Sequence, residues 1–378
     1  MDKDVTLAWA TEELVRLVEI PSVSGDEAEV LAYLEQRVDE LGFDLTRIPT
    51  PNGHDNLLIG SPNPQLLLTA HVDTIEPTWR PSERSSVQDG TVAGVGAVDD
   101  KSGVVVCLLS LMLARERGVS LEDVPVAVAL TVDEEIGGTG SAAVAEAVCP
   151  PYVVAVEGTN LGLATAESGA VEGQVTVLGR SVHGALVEEG DNAIVKAAHL
   201  ILKLSDLPFT RLRHPLVGHS LPSVEKIQGG SDLWVIPDRV SMRLEVRISP
   251  GVSAEDVVSQ VSALCDEHDA TYEVGEVSVP FELPAESLLR SVFEQAGEEA
   301  LGRALVETGM PSWTDAHNFV DIARSEAVVF GPGSLKQAHH PDERIEIQEV
   351  VQAADVLAAV VGRWPRDERS KQLVGEIL

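Results

Sequence analysis

Cysteine is almost missing from this sequence. Three occur in 378 residues, Cys107, Cys149 and Cys265. They are scattered and each sits among apolar residues. That argues against a disulfide framework and predicts buried structural thiols in a reducing, cytoplasmic setting. Long apolar runs are absent as well. None approaches the roughly 18–20 residues of a membrane-crossing helix. The N-terminal stretch MDKDVTLAWATEEL is acidic and lacks a basic segment followed by an apolar core, so no secretory signal is expected. Positive charge is scarce: 27 Lys and Arg stand against 61 Asp and Glu, for a net charge of −34. Such a surface serves solubility and weighs against nucleic acid or an anionic membrane as partner. No internal repeat or low-complexity tract is present.

What remains is a globular chain, 44% apolar, long enough for more than one domain with its own core. Helical spacing of apolar residues predicts helices over 6–19 and 26–41, with Ser24 and Asp26 available to cap the second. Strands are expected over 43–47, 56–59 and 65–69. A long apolar helix over 101–117 follows, then a buried strand over 126–132, a helix over 140–148 and a strand over 152–156. This alternation implies an α/β sheet flanked by helices, with sites at the carboxyl ends of strands. From Gly169 the pattern changes. Strands over 171–178, 240–248 and 271–277 alternate apolar and polar residues, and helices over 192–204 and 253–267 lie between them. That reads as a small α+β domain with one exposed sheet face. Helices over 287–301 and 347–363 and a short strand over 327–330 close the chain. The expected division is 1–168 with 281–378 as one domain and 169–280 inserted into it.

The chemistry gathers at strand ends. His71 and Asp73 follow the first buried strand, and Asp99-Asp100 precede the long helix. Asp133-Glu134-Glu135 follow the second strand and Glu157 the third. The loop after 327–330 carries His339 and His340. An isolated carboxylate at the end of a buried strand is costly unless it is paired or bound to a metal. His71, Asp99, Glu135, Glu157 and His339 make five ligands, more than one metal uses, with Asp99 able to bridge two. Imidazole and carboxylate without thiolate favour zinc, with cobalt or manganese able to substitute. Glu134 is then free to take a proton from water, and Asp73 is placed to orient the His71 ring.

These motifs together resemble the co-catalytic zinc exopeptidases and deacylases. That family includes acetylornithine deacetylase, succinyl-diaminopimelate desuccinylase, carboxypeptidase G, metal-dependent aminoacylases and tripeptide aminopeptidases. The resemblance runs through HVDT (71–74), GVGAVDDKSG (94–103), TVDEEIGGTGS (131–141), VEGT (156–159) and GRSVHGA (179–185). It continues in VIPD (235–238), EVR (245–247) and GPGSLKQAHHPDE (331–343). It implies a zinc-exopeptidase-like catalytic domain with an inserted dimerisation or lid domain, two zinc ions and a homodimer. His71 and Glu157 would hold one metal, Glu135 and His339 the other, and Asp99 would bridge; His340 falls at a variable position. Glu134 would be general base and then acid. The resemblance further implies a cis peptide between Asp99 and Asp100, an oxyanion role for His183 in a neighbouring subunit's site, and a substrate-carboxylate clamp at Arg247. The expected activity is removal of an acyl group from an N-acyl amino acid, with a carboxypeptidase or dipeptidase as the alternative. Glu157 in place of Asp leans away from the aminopeptidases. The missing Gly-Cys-Gly-His-Asp motif argues against the relatives that use a cysteine ligand. One departure stands out: Trp234 occupies a position where many relatives carry Asn.

Overall fold

The computed structural model describes residues 2–79, 84–231 and 233–365. Contacts divide the chain into two compact units. One comprises residues 1–165, 283–308 and 314–378; the other comprises 166–282 and 309–313.

The first unit is built on a mixed sheet. Its strands run in the order Leu45–Ile48, Asn56–Gly60, Val126–Thr131, Leu66–His71, Tyr152–Ala155, Glu326–Val329 and the start of Leu163–Glu167. The middle of the sheet is parallel, with Leu66↔Val126 and Leu66↔Tyr152 in register. The outer strands pair antiparallel. Every residue of Leu66–His71 and of Val126–Thr131 is buried. Continuous apolar runs of this kind are what a central strand covered on both faces requires. Helix Lys101–Glu116 is buried over most of its circumference and packs along helix Ile347–Arg363. A helix apolar all round has to be enclosed, and helices Lys3–Glu19 and Leu288–Leu301 help enclose this pair. The architecture is α/β, a mixed sheet flanked by helices, as the alternating pattern predicts.

The second unit is a four-stranded antiparallel sheet in the order Leu221–Gly229, Arg239–Ile248, Gly169–Leu178 and Ala270–Ser278. Strand Arg239–Ile248 alternates strictly, with Val240, Met242, Leu244, Val246 and Ile248 buried. Those residues pack with Val257 and Val261 of helix Ala254–Asp266 and with Ala197 and Leu200 of helix Ala193–Leu204. A period of two on a half-covered sheet gives one apolar and one polar face. Of the three cysteines, Cys107 and Cys265 are buried as expected. Cys149 is exposed, because it ends helix Thr139–Val148 in a left-handed conformation ahead of two prolines.

Candidate metal centre

All the proposed metal ligands lie in the first unit. Four of them stand at or just beyond the carboxyl ends of its parallel strands. His71 closes strand Leu66–His71, Glu135 follows Val126–Thr131, and Glu157 follows Tyr152–Ala155. His339 comes from the loop after Glu326–Val329. Asp99 sits immediately before helix Lys101–Glu116, next to a cis peptide bond between Asp99 and Asp100.

The side chains converge on His71 and His339. His71 Nε2 lies 2.9 Å from Asp99 Oδ1, 3.5 Å from Glu157 Oε1 and 4.0 Å from Glu134 Oε2. His339 Nε2 lies 2.9 Å from Glu135 Oε2 and 3.4 Å from Asp99 Oδ2. Asp99 thus faces one imidazole with each oxygen, the disposition a bridging carboxylate needs. Two groups of ligand atoms lie within 4.8 Å of one another: His71, Asp100 and Glu157, and Asp99, Glu135 and His339. Glu134 belongs to neither. His340 turns elsewhere, its Nδ1 accepting from the Asp342 N–H.

Charge explains why these atoms need a cation. Among the described residues, the cationic partners of Asp99, Glu134, Glu135 and Glu157 are the two imidazoles. Burial pushes the carboxyl of Glu157 up to about 7 and raises those of Glu134 and Glu135. Burial pulls the His71 imidazole down, but Glu134, Asp73, Asp99 and Glu157 outweigh it and raise it well above the usual histidine range. The hydrogen bond with Glu135 lifts His339 to about 9. Carboxylates crowded in a buried site without lysine or arginine repel one another, and one or two dications of the kind imidazole and carboxylate prefer would neutralise them. The donor set therefore fits the metals.

Three further carboxylates hold this arrangement. His71 Nδ1 is 3.0 Å from the backbone carbonyl of Asp73, so the ring is oriented by the Asp73 main chain. The Asp73 carboxylate, 3.4 Å from the same nitrogen, accepts from the N–H groups of Glu134 and Glu135, each at 3.1 Å. Asp100 accepts from the His71 N–H and the Gly103 N–H, tying the strand end to the start of helix Lys101–Glu116. Glu343, which closes the GPGSLKQAHHPDE block, accepts from the N–H groups of Gly96, Val98 and Asp99 at 3.1, 2.8 and 3.2 Å. Sequence reasoning missed this last role. Its only trace in the sequence is its place at the end of that block.

The second unit carries the other two candidates. His183 is exposed, and its Nδ1 accepts from the Ala185 N–H at 3.1 Å. An accepting Nδ1 places the neutral ring's proton on Nε2, which is left as a donor. Arg247 is held by Glu245, with Nε 2.6 Å from Oε1, and its Nη1 donates to Ser312 Oγ at 3.2 Å. Trp234, beside the His183↔Val235 bridge, is 89% exposed.

A family profile described as peptidase family M20/M25/M40 matches residues 67–363. This chain belongs to that family. It is a metal-dependent hydrolase of amide bonds. It is 28% identical over 365 residues to an acetylornithine deacetylase of Myxococcus xanthus, covering 93% of this chain and 92% of the relative. Its fold is similar to that of an M20 metallo-carboxypeptidase from Sulfolobus solfataricus, with a TM-score of 0.77 at 16% identity over 97% of this chain and 100% of that one. A dinuclear metal-binding M20 peptidase from Bacillus subtilis matches with a TM-score of 0.68 at 16% identity, over 95% and 98%.

Proposed function

We propose that this M20 hydrolase removes the acyl group from an N-acyl amino acid, in the manner of acetylornithine deacetylase or succinyl-diaminopimelate desuccinylase. The observation that carries the reading is the Glu134 carboxylate, set among five converging candidate ligand side chains, 4.0 Å from His71 Nε2 and engaged in neither ligand group. His71 and Glu157 would hold one divalent ion, Glu135 and His339 the other, and Asp99 would bridge them. Zinc fits these donors, and cobalt can replace it. Such ions, when bound, polarise the amide carbonyl and acidify the attacking water. Glu134 takes the water's proton and returns it to the leaving amine. His183 offers its Nε2–H to the oxygen on which negative charge develops. Arg247, held in place by Glu245, has further N–H groups for the substrate carboxylate.

His183 would serve a neighbouring subunit of a homodimer in the cytoplasm. Two exposed features of the second unit support that assembly. The strand Leu221–Gly229 is an open sheet edge carrying exposed Leu221 and Ile227, and helix Ala193–Leu204 exposes Ile194, Val195 and Leu202. The rival reading is a carboxypeptidase or dipeptidase, supported by a probable carboxypeptidase of Aspergillus terreus at 24% identity over 89% of this chain. A screen of N-acetyl and N-succinyl amino acids against dipeptides, with zinc or cobalt supplied, separates them. The expected result is a kcat/KM highest on an N-acyl amino acid. Cleavage confined to dipeptides with a free amino terminus would overturn it.

A further inference from the structure

The segment Ser22–Ser24 lies beside the end of strand Leu66–His71 as a short parallel bridge, Val23↔Thr74. Thr74 N–H donates to the Ser22 carbonyl at 2.8 Å, and Ser24 N–H donates to the Thr74 carbonyl at 3.2 Å. The Ser22 hydroxyl donates to the Val72 carbonyl at 2.7 Å. The sequence suggests that Ser24 caps the following helix. It does not: the cap position is Glu27, and the Ser24 hydroxyl instead donates to Asp73 Oδ2 at 2.6 Å. Glu27, itself buried, uses its carboxylate to accept from the Gly25 N–H and to meet His54.

That hydroxyl is the third hydrogen-bond donor to one carboxylate. Asp73 is fully buried and accepts from Glu134 N–H, Glu135 N–H and Ser24 Oγ–H. Its oxygens join the two residues on which the chemistry depends to the N-terminal PSVSG segment. A carboxylate anchored on three sides has one position. Remove the hydroxyl and Oδ2 keeps only the Glu135 N–H, so the turn bearing both glutamates gains freedom. Small displacements of a base or a ligand are costly in rate.

We propose that Ser24 is a positioning residue for the reaction: through Asp73 it fixes the backbone of the general base Glu134 and of the ligand Glu135. The proposal rests on the functional reading above for the roles of those two glutamates. The test compares wild type, Ser24→Ala and Ser24→Thr in three measurements: steady-state kinetics, Co²⁺ titration of the metal-free protein, and thermal unfolding. Partners that orient ligands typically govern activity or metal affinity by roughly 10–100-fold. Ser24→Ala is expected to lower kcat by about that factor with KM within about twofold, and to weaken Co²⁺ binding, while unfolding stays within a few degrees of wild type. Ser24→Thr, which keeps the hydroxyl, is expected to restore both. If Ser24→Ala matches wild type in kcat and Co²⁺ affinity, or Ser24→Thr fails to recover what Ala loses, the proposal is overturned. A wild type that binds cobalt but cleaves none of the substrates would sink the functional reading, and the Co²⁺ arm would still decide the role of Ser24.

Discussion

At the scale of single residues, the centre is braced by buried side chains outside the candidate ligand set. Glu343 is the clearest. It is buried, and three backbone N–H groups of the 94–103 loop point at its carboxylate. Replacing it with Gln turns one acceptor into a donor facing donors. A buried unmet donor costs about 1–3 kcal/mol, so Glu343→Gln should lower stability by that order. It should also weaken Co²⁺ binding, because Asp99 loses its support; denaturant unfolding and metal titration measure the two effects. Wild-type values in both would show that the loop needs no such anchor. The candidate ligands stand out in the sequence, because histidine and acid residues at the ends of apolar strands are costly and conspicuous, and the structure brings their side chains together. The anchors do not stand out. Glu343 sits in a motif dominated by His339, and Ser24 sits in a segment that reads equally well as a turn. Which backbone groups lie opposite a carboxylate depends on how distant segments meet, and linear spacing does not carry that information.

At the scale of elements, the strand ends hold the candidate ligands in place because their neighbours leave no slack. A Cβ at Gly331 would come within 2.5 Å of the Glu157 carbonyl oxygen and 2.9 Å of its nitrogen. Both are backbone atoms, so the strand end carrying Glu157 has to yield. Overpacking of this sort costs about 1–3 kcal/mol. Gly331→Ala should therefore lose stability and weaken the binding of metal by His71 and Glu157, as read by unfolding and Co²⁺ titration. Unchanged metal affinity would mean that Glu157 is not tied to the 331–333 loop. Most elements could be read from periodicity: the continuous runs of the central strands and the strict alternation of Arg239–Ile248 each specify their burial. The capping of helix Ala28–Leu41 could not, since both serine and aspartate were plausible there and Glu27 holds the position.

For the whole molecule, buried charge should make stability depend on pH and on metal. Glu157 and Glu343 have folded pKa values of about 7, raised by burial from 4.5. The unfolded chain releases these protons at lower pH than the folded one, so stability falls as pH rises from about 4.5 to 7. His339 has the opposite sign in origin and the same direction in effect. Raised from 6.5 to about 9 by its bond with Glu135, it stabilises fully below 6.5 and loses that contribution as pH passes 9. The metal-free protein should therefore melt at progressively lower temperature from pH 5 to pH 7; above that Lys101, which burial lowers from 10.5 to about 7, works against the His339 contribution. Zinc or cobalt should remove much of the decline, because a cation favours the ionised carboxylates and binds only the folded site. A flat melting profile in chelator, or one that metal does not change, would contradict this. The acidic composition weighs against nucleic acid as a partner but does not reveal the site, since most acidic residues serve the surface and only a few the centre.

In the proposed reaction Glu134 moves the proton while five other side chains hold metal. That role is tested by kcat for Glu134→Gln, measured with the metal content determined on the same sample. General acid–base catalysis contributes about 10²–10⁴-fold. Glu134→Gln should lose that much in kcat, at wild-type metal stoichiometry and on the best substrate of the screen. Turnover equal to wild type would contradict it.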